Sequence, residues 1–430
     1  VKAQQAGQGG PAAQRLEVRT AAIGDPGDLI AALPSPQALA WVRRGDGLVG
    51  WGVAAGLVIP AGDDRFTAAE KWLAELFEDA EVHDEAGVPG SGPVAFGSFT
   101  FDPASDGSVL VVPRVILGRR DGLSWRTTIG RAGAPEAAVP VTAPGEIRWN
   151  DGSLTAPQWE HAVSEAVARI RSGELGKVVL ARDLNATATA GIDVRLLLAR
   201  LAAGYPDCYA FSCAGLAGAT PELLVRRSGA EVTSLVLAGT APRGAGPEAD
   251  AALGKALLAS AKDVAEHEYA VTGVRDTLTR LCGAVTVDER PSLLRLANVQ
   301  HLATRVSARL ERPGPAGPEV RPAPLRSGTS ALALAAALHP TAAVCGTPPG
   351  PAMDLIRELE AMDRGRYAGP VGWLDWRGNG EWGIALRCAE LDGRHARLFA
   401  GCGIVADSDP AAELAEAQAK FRPMQQALEA

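Results

Sequence analysis

Hydrophobic positions recur with two different periods along this chain, and the places where the period changes mark its predicted elements. Between residues 16 and 145, short apolar runs at 47–59, 93–101 and 108–117 alternate with turn residues, and one stretch, 67–76, repeats at helical spacing. That pattern predicts strands packed with a helix. Residues 1–15 are Gln, Gly and Ala without periodicity and predict a mobile tail. A Pro, Gly and Ala stretch at 131–145 reads as a connector and is the best candidate boundary. From 150 to 428 the pattern is regular. Helices are predicted at 156–172, 193–203, about 248–282, 330–338, 351–363 and from Pro410 onward. Strands are predicted at 177–184, 209–213, 222–227, 231–237, 369–376, 382–391 and 395–404, with a Pro-rich loop insertion at 312–326. The strands arrive in hairpin-like succession, so the expected class is α/β of the α+β kind: antiparallel sheets covered by helices, not a doubly wound parallel sheet.

Composition narrows the partners. The 430 residues are 47% hydrophobic, enough for a large core, and the formal charge of -8 disfavours nucleic acid or an anionic membrane, since both demand a basic face. No apolar stretch approaches the roughly 20 residues of a membrane span, and the first residues lack the apolar core of a signal peptide. Six cysteines occur without a Cys-x-x-Cys pair, which argues against a zinc ribbon or dithiol site and reads as reduced thiols in a cytoplasmic protein. Nothing demands a partner subunit, so a monomer is the default expectation.

Two acidic segments carry candidate chemistry. In the closing segment Asp409 is placed to cap a helix opened by Pro410, which puts Glu413, Glu416 and Lys420 on one face. Ser260-Ala-Lys-Asp-Val-Ala-Glu-His places Asp263 and Glu266 one turn apart on another helix. Carboxylates from two helices suit a hard divalent ion such as magnesium, yet the same spacing describes a solvated acidic face.

Motifs decide between these readings. From Gly176-Lys-Val-Val-Leu-Ala-Arg to the C-terminus the chain resembles the chorismate-utilising enzymes, the family of anthranilate synthase component I, aminodeoxychorismate synthase, salicylate synthase and isochorismate synthase. The resemblance rests on Ala219-Thr-Pro-Glu-Leu-Leu, Leu237-Ala-Gly-Thr-Ala-Pro-Arg-Gly, the Ser260 segment, Gln300-His-Leu, Ala337-Leu-His-Pro-Thr, Gly372-Trp, Ile384-Ala-Leu-Arg-Cys-Ala, Ala400-Gly-Cys-Gly-Ile-Val and Glu413-Leu-Ala-Glu with Lys420. It implies one large domain of stacked antiparallel sheets with helices outside. Residues 16–145 would then be a variable part of that same body and 131–145 a surface loop.

The resemblance also implies roles. Glu266 and Glu416 match magnesium ligands, with Asp263 and Glu413 beside them or reached through water. Arg387 and Lys420 match the groups that hold the two carboxylates of chorismate, Gly239, Thr240, Gly401 and Gly403 let backbone approach them closely, and His301 is a further contact. Lys177 matches the base that activates water, a poor nucleophile, and burial would favour its neutral form. Glu222 matches the acid that protonates the departing C4 hydroxyl. Leu338, in the Ala-Leu-His-Pro-Thr segment, and the Gly239 segment resemble the isochorismate-forming members. That implied activity is distinguished from salicylate synthases, which go on to expel pyruvate, and from the aminating members.

Overall fold

The computed structural model describes residues 15–130, 137–311 and 329–429. The expected tail and loop insertion, and the first part of the expected connector, lie outside the described residues.

Two large sheets, one of 13 strands and one of 10, carry the fold, with helices packed on them. Their strand pairs are antiparallel apart from Glu17–Ile23 with Glu81–Asp84, which run parallel. The N-terminal third contributes strands to both sheets: Leu39–Arg43 pairs with Tyr209–Cys213 in the larger, and Val94–Ser98 pairs with Pro370–Asp375 in the smaller. Residues on both sides of 131–145 thus build the same sheets. Past 136 the chain is held onto the body by the Arg195 guanidinium, which donates to Val139 O at 2.8 Å and Pro140 O at 3.3 Å.

Local chemistry explains the elements that frame the interior. Helix Ala156–Arg171 opens with a capping box in which the Gln158 side chain accepts from Thr155 N at 2.9 Å, and it buries Trp159, Val163, Ala166 and Ile170 at helical spacing. Strand Lys177–Ala188 buries its first seven residues without alternation, and helices Ala156–Arg171 and Pro349–Leu359 pack against it. The closing helix, Pro410–Glu429, begins as its sequence predicts: Asp409 Oδ1 accepts from Ala412 N at 2.8 Å.

Two predicted elements are divided. The stretch 248–282 is two helices, Pro247–Ala259 and Ala261–Leu281, because Ser260 takes an extended conformation and caps the second through Asp263 N at 3.2 Å. The stretch 382–391 is two strands in different sheets, Gly380–Ile384 in the smaller and Cys388–Asp392 in the larger. Arg387 stands at that crossing with φ 49, a left-handed conformation that costs a non-glycine residue about 1 kcal/mol or more. The stretch 284–309 also holds three strands that the pattern did not announce, Ala284–Val287, Ser292–Arg295 and Val299–Arg309. All six cysteines are free and buried. Among the described residues, no helix is long and apolar enough to cross a membrane.

Candidate active site

One cleft of about 840 Å3, counting its opening to solvent, is lined by residues of both sheets and by the first turns of helices Ala261–Leu281 and Pro410–Glu429. Its size suits a small molecule. Glu222, Gly239, Thr240, Asp263, Glu266, His301, Arg387, Gly401, Gly403, Glu413, Glu416 and Lys420 all line it. Lys177 lies just behind that lining, paired through Nζ with Glu266 Oε1 at 2.8 Å. Leu338, at the end of helix Ala331–Leu338, is buried in the core and is not among the lining residues.

Each functional side chain is held by the element that carries it. Glu222 stands between strands Leu216–Thr220 and Leu223–Ser228, where its backbone N donates to Thr220 Oγ1 at 3.3 Å. Burial pushes its carboxyl up to about 8 against the opposing charges of Lys177, Arg387 and Lys420, so at neutral pH it keeps its proton. Gly239 sits at a bulge in strand Glu231–Pro242 with φ 72, a conformation glycine adopts freely. Across the ladder from Thr240 is His301, whose Nδ1 lies 3.2 Å from Gly239 O and 3.2 Å from Thr240 Oγ1. Burial first, and then the charges of Arg387 and Lys420, hold this imidazole down to about 3, so it is neutral. With Nδ1 assigned as donor to the carbonyl, Nε2 is left as a buried acceptor without a protein partner.

Strand His395–Ile404 brings Gly401 and Gly403 to the floor of the cleft. A Cβ at Gly403 would stand 2.6 Å from Glu266 Oε1 and 3.1 Å from Lys177 Cε; one at Gly401 would stand 2.9 Å from the Tyr367 hydroxyl oxygen. Only hydrogen fits there without displacing a polar side chain of the cleft. Lys420 Nζ donates to Gly401 O at 2.7 Å and pairs with Glu416 Oε1 at 2.6 Å. Burial works to raise Glu416, but Lys420 and then Arg387 and Lys262 hold it below the usual carboxylate range.

The donors around this corner suit a hard cation. Cys402 Sγ and the carboxylates of Glu413 and Glu416 lie within 4.8 Å of one another. The thiol, raised far above its ordinary range by burial, donates to Glu413 O at 3.3 Å and is not a ready ligand. What remains of that group is the carboxylate oxygen of Glu413 and Glu416; Asp263 and Glu266 line the same cleft but stand outside the group, with Glu266 paired to Lys177. Burial and then the charge of Glu416 push Glu413 up, the mark of acids crowded together, which a divalent ion would relieve.

Two charged residues of the cleft lining escaped the sequence reading. Lys262, neighbour of Asp263, reaches within 4.0 Å of Glu413 Oε1; its place in the Ser260 segment was a usable signal. Arg364 also lines the cleft and is paired with buried Glu360. Its only sequence signal is an acid four residues earlier, which ordinarily means a surface pair.

Comparison with known proteins agrees with this geometry. The family model described as chorismate binding enzyme matches residues 137–429. The chain is 40% identical over 378 residues to isochorismate synthase DhbC of Bacillus subtilis, covering 85% of this chain and 87% of that one. It is 36% identical over 430 residues to the salicylate biosynthesis isochorismate synthase of Pseudomonas aeruginosa, covering 91% and 85%. The solved structure of MenF, the menaquinone-specific isochorismate synthase of Escherichia coli, superposes with a TM-score of 0.78 over 98% of this chain and 96% of that one; at 24% identity the likeness is one of fold. The chain belongs to the chorismate-binding enzyme family.

Proposed function

We propose that this protein is an isochorismate synthase, an isomerase that adds water at C2 of chorismate and releases the C4 hydroxyl as water. The observation that carries this reading is that a buried lysine, Lys177, stands behind the cleft lined by a buried carboxyl, Glu222, that keeps its proton up to about pH 8. An amine and a neutral acid at one cleft provide the two proton transfers that the reaction needs.

The steps balance as follows. Lys177 Nζ takes a proton from water, and the hydroxide oxygen bonds to C2. The C1–C2 double bond moves to C1–C6, the C5–C6 double bond moves to C4–C5, and the C4–O bond breaks. Glu222 gives its proton to that departing oxygen. In the arrangement described here Lys177 Nζ is paired with Glu266 Oε1 at 2.8 Å, and taking the proton of water requires that Glu266 be engaged elsewhere. Glu266 and Glu416, with Asp263 and Glu413 beside them, would hold a magnesium ion, which supplies Lewis-acid stabilisation of the charge that gathers on the ring carboxylate. Arg387 and Lys420 balance the substrate's carboxylates, and the free Nε2 of neutral His301 offers an acceptor to a substrate hydroxyl.

Incubation with chorismate and magnesium, with products separated by chromatography, tests the reading. Isochorismate is the expected product. Salicylate with pyruvate, or an aminated ring formed from ammonium, would contradict it.

A further inference from the structure

Strand Lys177–Ala188 starts at the base and is bonded unevenly along its two edges. One edge is paired continuously with strand His395–Ile404 from Val178 to Thr187. The other is paired with Gly346–Thr347 only at Lys177 and Val178, and with Ile147–Asp151 only from Leu184 onward. Between those two contacts Val179 N still donates to Cys345 O at 2.8 Å, but the remaining buried backbone groups have no strand beside them, and a buried polar group left without a partner costs about 1–3 kcal/mol.

Side chains fill the gap. Glu360 Oε1 accepts from Ala181 N at 2.7 Å, Arg364 Nη2 donates to Val179 O at 2.7 Å, and Trp159 Nε1 donates to Ala181 O at 3.1 Å. Arg364 Nε donates to Glu360 Oε2 at 2.8 Å, and Arg364 Nη1 reaches across to Val344 O at 2.9 Å, in the loop that lines the cleft. The guanidinium lies over the Phe101 ring at 4.3 Å, and Arg364 O accepts from Tyr367 N at 3.0 Å, so the same residue fixes the turn that brings Tyr367 to the cleft. Glu360 and Arg364 are 2% and 3% exposed. A pair this deep is seldom kept for net stability, because desolvation offsets the attraction; it is better suited to fixing geometry.

We propose that Glu360 and Arg364 are positioning residues for the water-addition step, acting as a side-chain substitute for the missing strand that fixes the Lys177 end of its strand against the Val344 loop and the Tyr367 turn. The inference rests on Lys177 being the base. It assigns the pair no contact with substrate and no proton transfer.

The test uses the full chain with chorismate and magnesium and two variants, Glu360→Gln, which keeps an acceptor for Ala181 N but removes the counter-charge, and Arg364→Lys, which keeps the charge but loses the fork. For variants that remain folded by far-UV circular dichroism, kcat is expected to fall about tenfold to a hundredfold while KM stays within about threefold, the cost of misplacing a reacting group. The solvent deuterium isotope effect on kcat is expected to rise above the wild-type value, because water activation then limits turnover. A purely structural role would lower kcat by reducing the folded fraction and would leave the isotope effect where it was; that result, or a kcat within twofold of wild type in either variant, would overturn the proposal. Failure of the underlying reading registers separately, as near-normal turnover by Lys177→Ala or as a wild-type product other than isochorismate.

Discussion

The two walls of the cleft are built on opposite plans. On the sheet wall, Lys177, Val179, Glu360, Arg364 and Tyr367 sit in buried backbone and side-chain networks whose polar contacts are within the protein. On the helix wall, Asp263, Glu266, Glu413 and Glu416 project from the first turns of two helices beside lysines, and several of these groups are partly exposed, Lys262 at 45% and Glu416 at 32%. On the proposed mechanism one wall fixes positions, and the other gathers charge that a cation and an anionic substrate would redistribute. Catalysis of this kind needs both, because a base must be held in place while charge neutralisation must adapt to ligands that come and go.

The largest effect that separates the walls is expected from Lys177→Ala. It removes the proposed base and should lower kcat by about a hundredfold to ten-thousandfold with the fold retained, read from steady-state kinetics and circular dichroism. Glu222→Gln should cost about a hundredfold or more in kcat, since an amide cannot supply the proton. The pH profile gives the sign: Glu222 must be protonated, so wild-type activity falls as pH rises through about 8, and the variant's residual activity should lack that alkaline limb. On the helix wall, Glu416→Gln should shift the magnesium concentration for half-maximal activity upward by about tenfold or more with a smaller change in kcat at saturating metal, measured by metal titration. An unchanged titration would remove Glu416 from the ligand set.

The smallest effect expected is one of stability. Glu222 titrates near 4.5 when unfolded and near 8 when folded, so the fold loses stability as pH rises from 4.5 to 8. Glu222→Gln removes that loss and should be more stable than wild type at pH 8 in urea unfolding, while the two converge below pH 4.5. A variant equally stable at both values would show that Glu222 is not held protonated.

Legibility in the sequence followed the same division. Acids on the helix wall could be read from helical spacing: Asp409 caps as its neighbours predict, which fixes the face of Glu413 and Glu416, whereas the cap at Ser260 falls inside what reads as one helix and Asp263 and Glu266 are legible from their spacing alone. Lys177 and Glu222 were legible from motifs at strand ends. What could not be read depends on distant packing. Nothing local announces that Arg387 takes a positive φ and divides 382–391 between two sheets. Strand Val299–Arg309 buries Gln300, His301 and Thr304, so its polar positions obscure the alternation that would reveal it. Glu360 and Arg364 have the spacing of a solvated helix pair, and only the gap beside Val179 and Ala181 makes them interior. Leu338 was placed at the substrate by resemblance, whereas it lies in the core behind the cleft lining.

On the proposed mechanism, solvent water activated at the sheet wall becomes the new ring hydroxyl. Turnover of chorismate with magnesium in heavy-oxygen water, followed by mass spectrometry of isochorismate from early time points, tests it most directly. One heavy oxygen is expected in the C2 hydroxyl and none in the carboxylates; isochorismate that carries only the original chorismate oxygen would rule out water addition.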